Sequence, residues 1–101
     1  MSIVQEQYER TQIFKAAINK WGKEIQVEIA IEEMAELIKA LQKIKRNSDD
    51  STQWMELIHN VWEEIADVEI MLEQIKLIYG VVGVNDFKEA KLKRLKDRIN
   101  A

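Results

Sequence analysis

The chain has 101 residues, 47% hydrophobic and 33% charged, with 15 Lys and Arg against 18 Asp and Glu for a net charge of −3. That size holds one modest core and excludes a multidomain enzyme, so residues 1–101 are read as a single helical domain. The lack of cysteine excludes disulfide frameworks, thiolate metal sites and thiol catalysis, and the lack of proline with only three glycines favours long helices over a β-sandwich or disorder.

The N-terminal stretch MSIVQEQYERTQ carries charges early and has no apolar signal-peptide core, and no segment approaches the roughly 18 apolar residues of a membrane span. A soluble cytoplasmic protein is expected, with no membrane partner. Helical periodicity predicts a first helix from about Val4 to Asn19, with Tyr8, Ile13, Phe14, Ala17 and Ile18 facing inward, stopping near Trp21-Gly22. A second helix is expected from about Lys23 to Arg46, its apolar set running Val27, Ala30, Ile31, Met34, Leu37, Ile38, Leu41 and Ile44. The polar stretch Asn47–Ser51 reads as a loop.

A third helix is expected from about Thr52 to Ile78, with Trp54, Leu57, Ile58, Val61, Ile65, Val68, Leu72 and Ile75 on one face. After a Gly80–Gly83 connection, Asp86 and Glu89 have the spacing of a capping box that opens a last helix with Phe87, Leu92, Leu95 and Ile99 inward. Loops this short join neighbouring helices head to tail, so the fold class is all-α, an antiparallel four-helix bundle.

The acids carry the chemical information. Helix two holds Glu32-Glu33-x-x-Glu36 and helix three holds Glu63-Glu64-x-x-Asp67. Residues three apart lie about 60° apart around a helix, so Glu33 with Glu36 and Glu64 with Asp67 are same-face pairs, and Glu33 and Glu64 border the apolar stripes. On antiparallel helices the four carboxylates would converge, and like charges in a half-buried site call for cations. All-oxygen ligation suits Mg²⁺ or Mn²⁺. The alternative is a wet acidic face without chemistry, part of a non-catalytic helical protein-interaction module. Glu56-x-x-His59 has the spacing of a di-iron bundle ligand pair, but His59 is the only histidine, so a single-chain di-iron site fails and His59 belongs on the helix surface or at a subunit contact. There is no Walker-type phosphate loop and no basic-aromatic nucleic-acid motif, so no nucleic-acid partner is expected.

The pattern EExxE, 27 intervening residues, then ExxD resembles the MazG-like all-α nucleoside triphosphate pyrophosphohydrolases, in the compact form found in bacteria and their phages. The likeness extends from Trp21 through the terminal basic helix. It implies Mg²⁺-dependent hydrolysis of nucleoside triphosphates between the α and β phosphates, giving a monophosphate and pyrophosphate, as in the all-α dUTPases, dCTP pyrophosphatases and phosphoribosyl-ATP pyrophosphatases. Carried over, Glu33, Glu36, Glu64 and Asp67 would hold the metal, with Glu32 and Glu33 the catalytic candidates, Glu32 binding a further ion or orienting the attacking water. Lys91 and Arg94, with Arg98 behind them, are the phosphate candidates on the last helix, although a solvated basic face near a helix C-terminus is the plainer account. Trp21, Gln26 and Asn60 could flank a base. Trp54 and Trp62 read as packing or dimer contacts. Relatives pair or form dimers of dimers, so a homodimer or homotetramer is expected.

Overall fold

The computed structural model describes residues 2–47 and 51–101. Ser2 stands in extended backbone and its Oγ accepts the Gln5 N–H at 3.1 Å, satisfying one of the free amides at a helix start. The helix it caps, α1, is Ile3–Trp21. Gly22 ends it with φ 94°, a conformation that costs residues with a Cβ, and α2, Lys23–Arg46, begins at the next residue. The polar loop expected over 47–51 lies partly outside the described residues. Helix α3, Ser51–Tyr79, is followed by Gly80 alone, with φ 126°, and then by α4, Val81–Ile99. The fold is therefore all-α with four helices, as expected, and no strand occurs among the described residues.

The expected Gly80–Gly83 connection is one residue long. Helix α4 starts five residues before Asp86, so Asp86 and Glu89 lie inside it and form no capping box; Gly80 supplies no side-chain cap. The physical reason is that one glycine inside a helix costs only about 1 kcal/mol against alanine, which the flanking helical residues absorb.

Helices α2 and α3 form the centre of the molecule, an antiparallel hairpin. Gln26 on α2 meets Gln74 on α3, and seven residues on, Glu33 meets Asp67, seven residues back. The inner seam repeats every four and three residues, Gln26, Ala30, Glu33, Leu37, Ala40 and Ile44 on α2 against Leu57, Val61, Glu64, Val68, Met71 and Ile75 on α3, and every one of these is buried or half-buried. That is heptad spacing. Ala30 and Ala40, 1% and 2% exposed, place no bulk between the helices and allow close approach.

The seam differs by one residue from the expected stripe of α2. Ile31, Met34, Ile38 and Leu41 are exposed, while Gln26 and Glu33, one position earlier in phase, are turned inward. On α1, Phe14, Ala17 and Ile18 are half-buried, but Tyr8 and Ile13 are exposed. The correction is larger on α4: Phe87, Leu92, Leu95 and Ile99, all expected to face inward, are exposed, because this helix contacts only α3 and meets nothing on its apolar side.

Candidate metal centre

Two of the inner-seam positions that a coiled coil would fill with leucine are filled with carboxylates. Glu33 on α2 and Glu64 on α3 face each other across the hairpin, half-buried, and Asp67, one turn beyond Glu64, joins them from the exposed edge. One oxygen from each of the three lies within 4.8 Å of the others. Two oxygens on a single Mg²⁺ stand about 3–4 Å apart, given metal–oxygen distances near 2.1 Å, so a small side-chain rotation brings the three to one ion.

The electrostatics show what the cluster costs without a cation. Burial pushes the Glu33 carboxyl above its ordinary value, and Asp67 adds to this as a neighbouring charge and as a hydrogen-bond partner, with smaller contributions from Glu64 and Glu36. Burial likewise raises Glu64, followed by the charges of Asp67, Glu36 and Glu63. Both shifts run in the direction that desolvation and like charge dictate. Glu64 Oε2 is buried and has no hydrogen-bond partner. A buried carboxylate oxygen left without a donor is costly unless something cationic meets it. The donor set, all oxygen, anionic and preorganised on two helices, fits a hard divalent ion.

The other expected ligands stand further out. Glu36 is exposed and its Oε1 lies 3.7 Å from the Lys39 Nζ, so it borders the cluster and is close enough to raise both seam glutamates. Glu32 is exposed on α2, about 100° around the helix from Glu33. Asn60 lies one turn before Glu64 in the same row of α3 and is half-buried, which places it beside the carboxylates.

The remaining expected substrate contacts are not brought to the cluster. Gln26 points into the hairpin, 3% exposed, where its Nε2 donates to Gln74 Oε1 at 2.6 Å and its own Oε1 is buried without a partner. Trp21 is exposed at the C-terminal end of α1, across the Gly22 break from α2, with the Lys20 ammonium 5.4 Å from its ring centre. Lys91 and Arg94 are exposed on α4, a helix that does not touch α2. Lys91 instead lines an open apolar trough of about 630 Å³ with Tyr79, Val84, Phe87, Leu92 and Leu95. His59 is on the surface, its ring centre 5.1 Å from that of Trp62 with the two planes tilted by 39°.

Gln74 was not singled out from the sequence. The signal was available: it is the residue opposite Gln26 once the hairpin is registered on Glu33 and Asp67. Comparison of the chain with protein families, with curated proteins and with solved structures gave no match. Among the described residues, no helix is long and apolar enough to cross a membrane.

Proposed function

We propose that the chain is a cytoplasmic, self-associating MazG-like nucleoside triphosphate pyrophosphohydrolase that uses Mg²⁺, with Mn²⁺ as a substitute. The observation that carries this reading is the meeting of Glu33, Glu64 and Asp67 across the α2–α3 seam. It is supported by the EExxE and ExxD pattern, whose ligand positions include these three residues.

In this reading Glu33, Glu64 and Asp67 hold the ion, and Glu36 adds charge at the edge. A bound divalent ion would lower the pKa of a coordinated water and neutralise phosphate charge. The chain's own part is positioning: the carboxylates are fixed on two packed helices, and the half-buried seam excludes bulk water from one side. In this reading Glu32, exposed on α2 one residue before Glu33, would orient the water that attacks the α-phosphorus and take up its proton. One P–O bond forms from that water, the α–β bridging P–O bond breaks, and pyrophosphate leaves with the bond electrons. No side-chain nucleophile is needed.

The test is a panel of NTPs and dNTPs with purified protein and Mg²⁺, measuring pyrophosphate and orthophosphate separately. Metal-dependent pyrophosphate with a monophosphate, lost in Glu64→Gln and Asp67→Asn, is the expected result. Orthophosphate alone, or turnover indifferent to both substitutions, would refute it. One observation favours a second reading, a helical interaction module without chemistry: the apolar row Ile31, Met34, Ile38 and Leu41 is exposed. That reading predicts no effect of divalent ions on stability.

A further inference from the structure

Neither packing nor intrinsic preference holds the first turns of α4 in a helix. The run from Gly80 to Asp86 is made only of glycine, valine, asparagine and aspartate, all from the weak half of the helix scale. Every residue of it is exposed, so no tertiary contact makes up the difference. Gly83 and the pair Asp86 and Glu89 have no use where they stand, a glycine in a helix interior and a capping spacing beyond the helix start. All three would be used by a helix that begins after Asp86. Val81–Asn85 would then be the connection, the Asp86 carboxylate would accept the Glu89 N–H, and the Glu89 carboxylate would accept the Asp86 N–H.

The apolar stripe of α4 is already turned towards a surface that lacks a cover. Val84, Phe87, Leu92 and Leu95 form one wall of the open trough of about 630 Å³, and Tyr79 stands on the other. Tyr79 lies seven residues after Leu72, two turns on and in the same row of α3. Ile65, Glu69 and Leu72 on α3, and Ile31 and Met34 on α2, each follow a seam residue by one, and all are exposed. One residue is a 100° turn, and on antiparallel helices the two turns carry both rows to the same side of the hairpin. Glu36 and Asp67, three residues past their seam glutamates, turn about 60° the other way. The trough therefore runs into an apolar face on the side away from the carboxylates.

We propose that α4 is a strap that closes on its own hairpin: Val81–Asn85 leaves the helix, Asp86 caps what remains, and residues 87–99 fold back along α3 over this apolar face. The six residues 80–85 reach about 20 Å when extended, twice the 8–10 Å between packed helices. With Asp86 beside Tyr79 and the strap running back residue for residue, Leu92 falls within one residue of Leu72 and Ile99 within one of Ile65. Lys96 then comes level with Glu69, an acid inside the apolar row that makes no ion pair among the described residues. The straight form exposes 8348 Å², against about 5,900 Å² for a compact monomer of 11.9 kDa. Its radius of gyration is 17.0 Å, against about 13 Å for a compact domain of this length, and closure removes both excesses. The tether selects the occupant: an attached strap meets the face at an effective concentration of about millimolar, which a separate chain at lower concentration does not match. Closure leaves the carboxylate face open and keeps Lys91 and Arg94 on the opposite side from it. The strap is thus a cover for the apolar face, and it is independent of the metal chemistry.

The experiment measures a distance inside the full chain. The protein has no cysteine, so Met55→Cys and Asn100→Cys, both at exposed positions, take a pair of spin labels. The doubly labelled chain is diluted into an excess of unlabelled chain, so that pulsed dipolar spectroscopy reads only the pair within one molecule. The closed strap puts the two positions about 20 Å apart, whereas an arm at a right angle to α3 would hold them about 45 Å apart. The expected result is a population at the short distance. Gly83→Ala should shift the balance towards the straight form about fivefold through helix preference, and Asp86→Ala about fivefold through the lost cap. Both substitutions favour a continuous helix, so neither threatens folding. The double variant should therefore move most of the signal to the long distance while its helical circular dichroism rises. A parent chain with no short-distance population, or a short population indifferent to Gly83→Ala/Asp86→Ala, overturns the strap. A short distance found between singly labelled chains, and not within one chain, overturns it in favour of an arm exchanged between copies.

Discussion

The buried amide pair on the hairpin makes a quantitative prediction. Gln26 Nε2 donates to Gln74 Oε1 at 2.6 Å and Gln74 Nε2 donates to Met71 Sδ at 3.6 Å, while Gln26 Oε1 is buried with no donor, so one bond joins the two amides and one acceptor is stranded. A neutral hydrogen bond is worth about 1 kcal/mol net, and a stranded buried acceptor costs about 1–3 kcal/mol. Gln26→Leu loses the bond and exchanges one stranded oxygen for another, Gln74 Oε1, so it should cost about 1 kcal/mol. Gln74→Met loses the bond and strands the Gln26 Nε2 as well, so it should cost about 2–4 kcal/mol. The double variant Gln26→Leu/Gln74→Met has similar volume and no stranded group, and should equal the parent or exceed it by up to about 2 kcal/mol. The order of stability is therefore double variant, parent, Gln26→Leu, Gln74→Met. Urea unfolding at one fixed protein concentration reads these as midpoint shifts with unchanged slope. Losses that simply add in the double variant would refute the reasoning, since additivity means the two amides do not interact. Turnover of the same variants is informative: if Gln26 Oε1 serves a bound base, the double variant should be stable and yet impaired.

Three further outcomes are expected. Mg²⁺ at about one hundred times its Kd should stabilise the parent by about 2.7 kcal/mol, and Glu64→Gln or Asp67→Asn should abolish the resulting Tm rise in a thermal scan. The metal-free protein should grow more stable as pH falls from neutral, over the range between the raised carboxyl values of Glu33 and Glu64 and the ordinary value of 4.5, because the folded state binds those protons before the unfolded state does. Saturating Mg²⁺ should remove this gain, and a denaturation series against pH with and without the ion measures it; a metal-free stability that falls over that range would contradict the site. Ala30→Leu and Ala40→Leu should each cost about 1–3 kcal/mol in chemical unfolding, since both positions are almost wholly buried between α2 and α3.

Much of this was legible in the sequence, for identifiable reasons. The bounds of α2, Lys23–Arg46, follow from Gly22 on one side and the polar loop on the other. The acidic spacing located Glu33, Glu64 and Asp67, because a carboxylate bordering an apolar stripe is conspicuous. What escaped was phase. Two adjacent rows of α2 are compatible with burial, and the more apolar one, through Ile31 and Ile38, is the exposed one. Apolar content cannot choose between rows when the buried row must also carry the polar groups of a site. Glu36 was grouped with the other ligands on spacing alone, but its place on the far edge of the cluster and its pairing with Lys39 depend on how the hairpin is rotated. The start of α4 was missed because Gly83 and the valines around it read as a connection, whereas they continue a helix begun at Val81.

The junction at Gly80 has a mechanical consequence. It is the single residue between helices of 29 and 19 residues, and apart from its two chain neighbours no residue brings an atom within 4 Å of where a Cβ would stand. The angle at which the basic arm leaves the hairpin is thus set by the torsions of one residue. At the tip of a lever about 28 Å long, a change of 20° there moves Ile99 by about 10 Å. A methyl group would meet no neighbour at this position, yet it would penalise φ 126° itself. Substitution of Gly80 therefore alters the reach of the arm while leaving every contact inside the hairpin untouched, separating by one codon the aim of a surface from the stability of the scaffold that carries it.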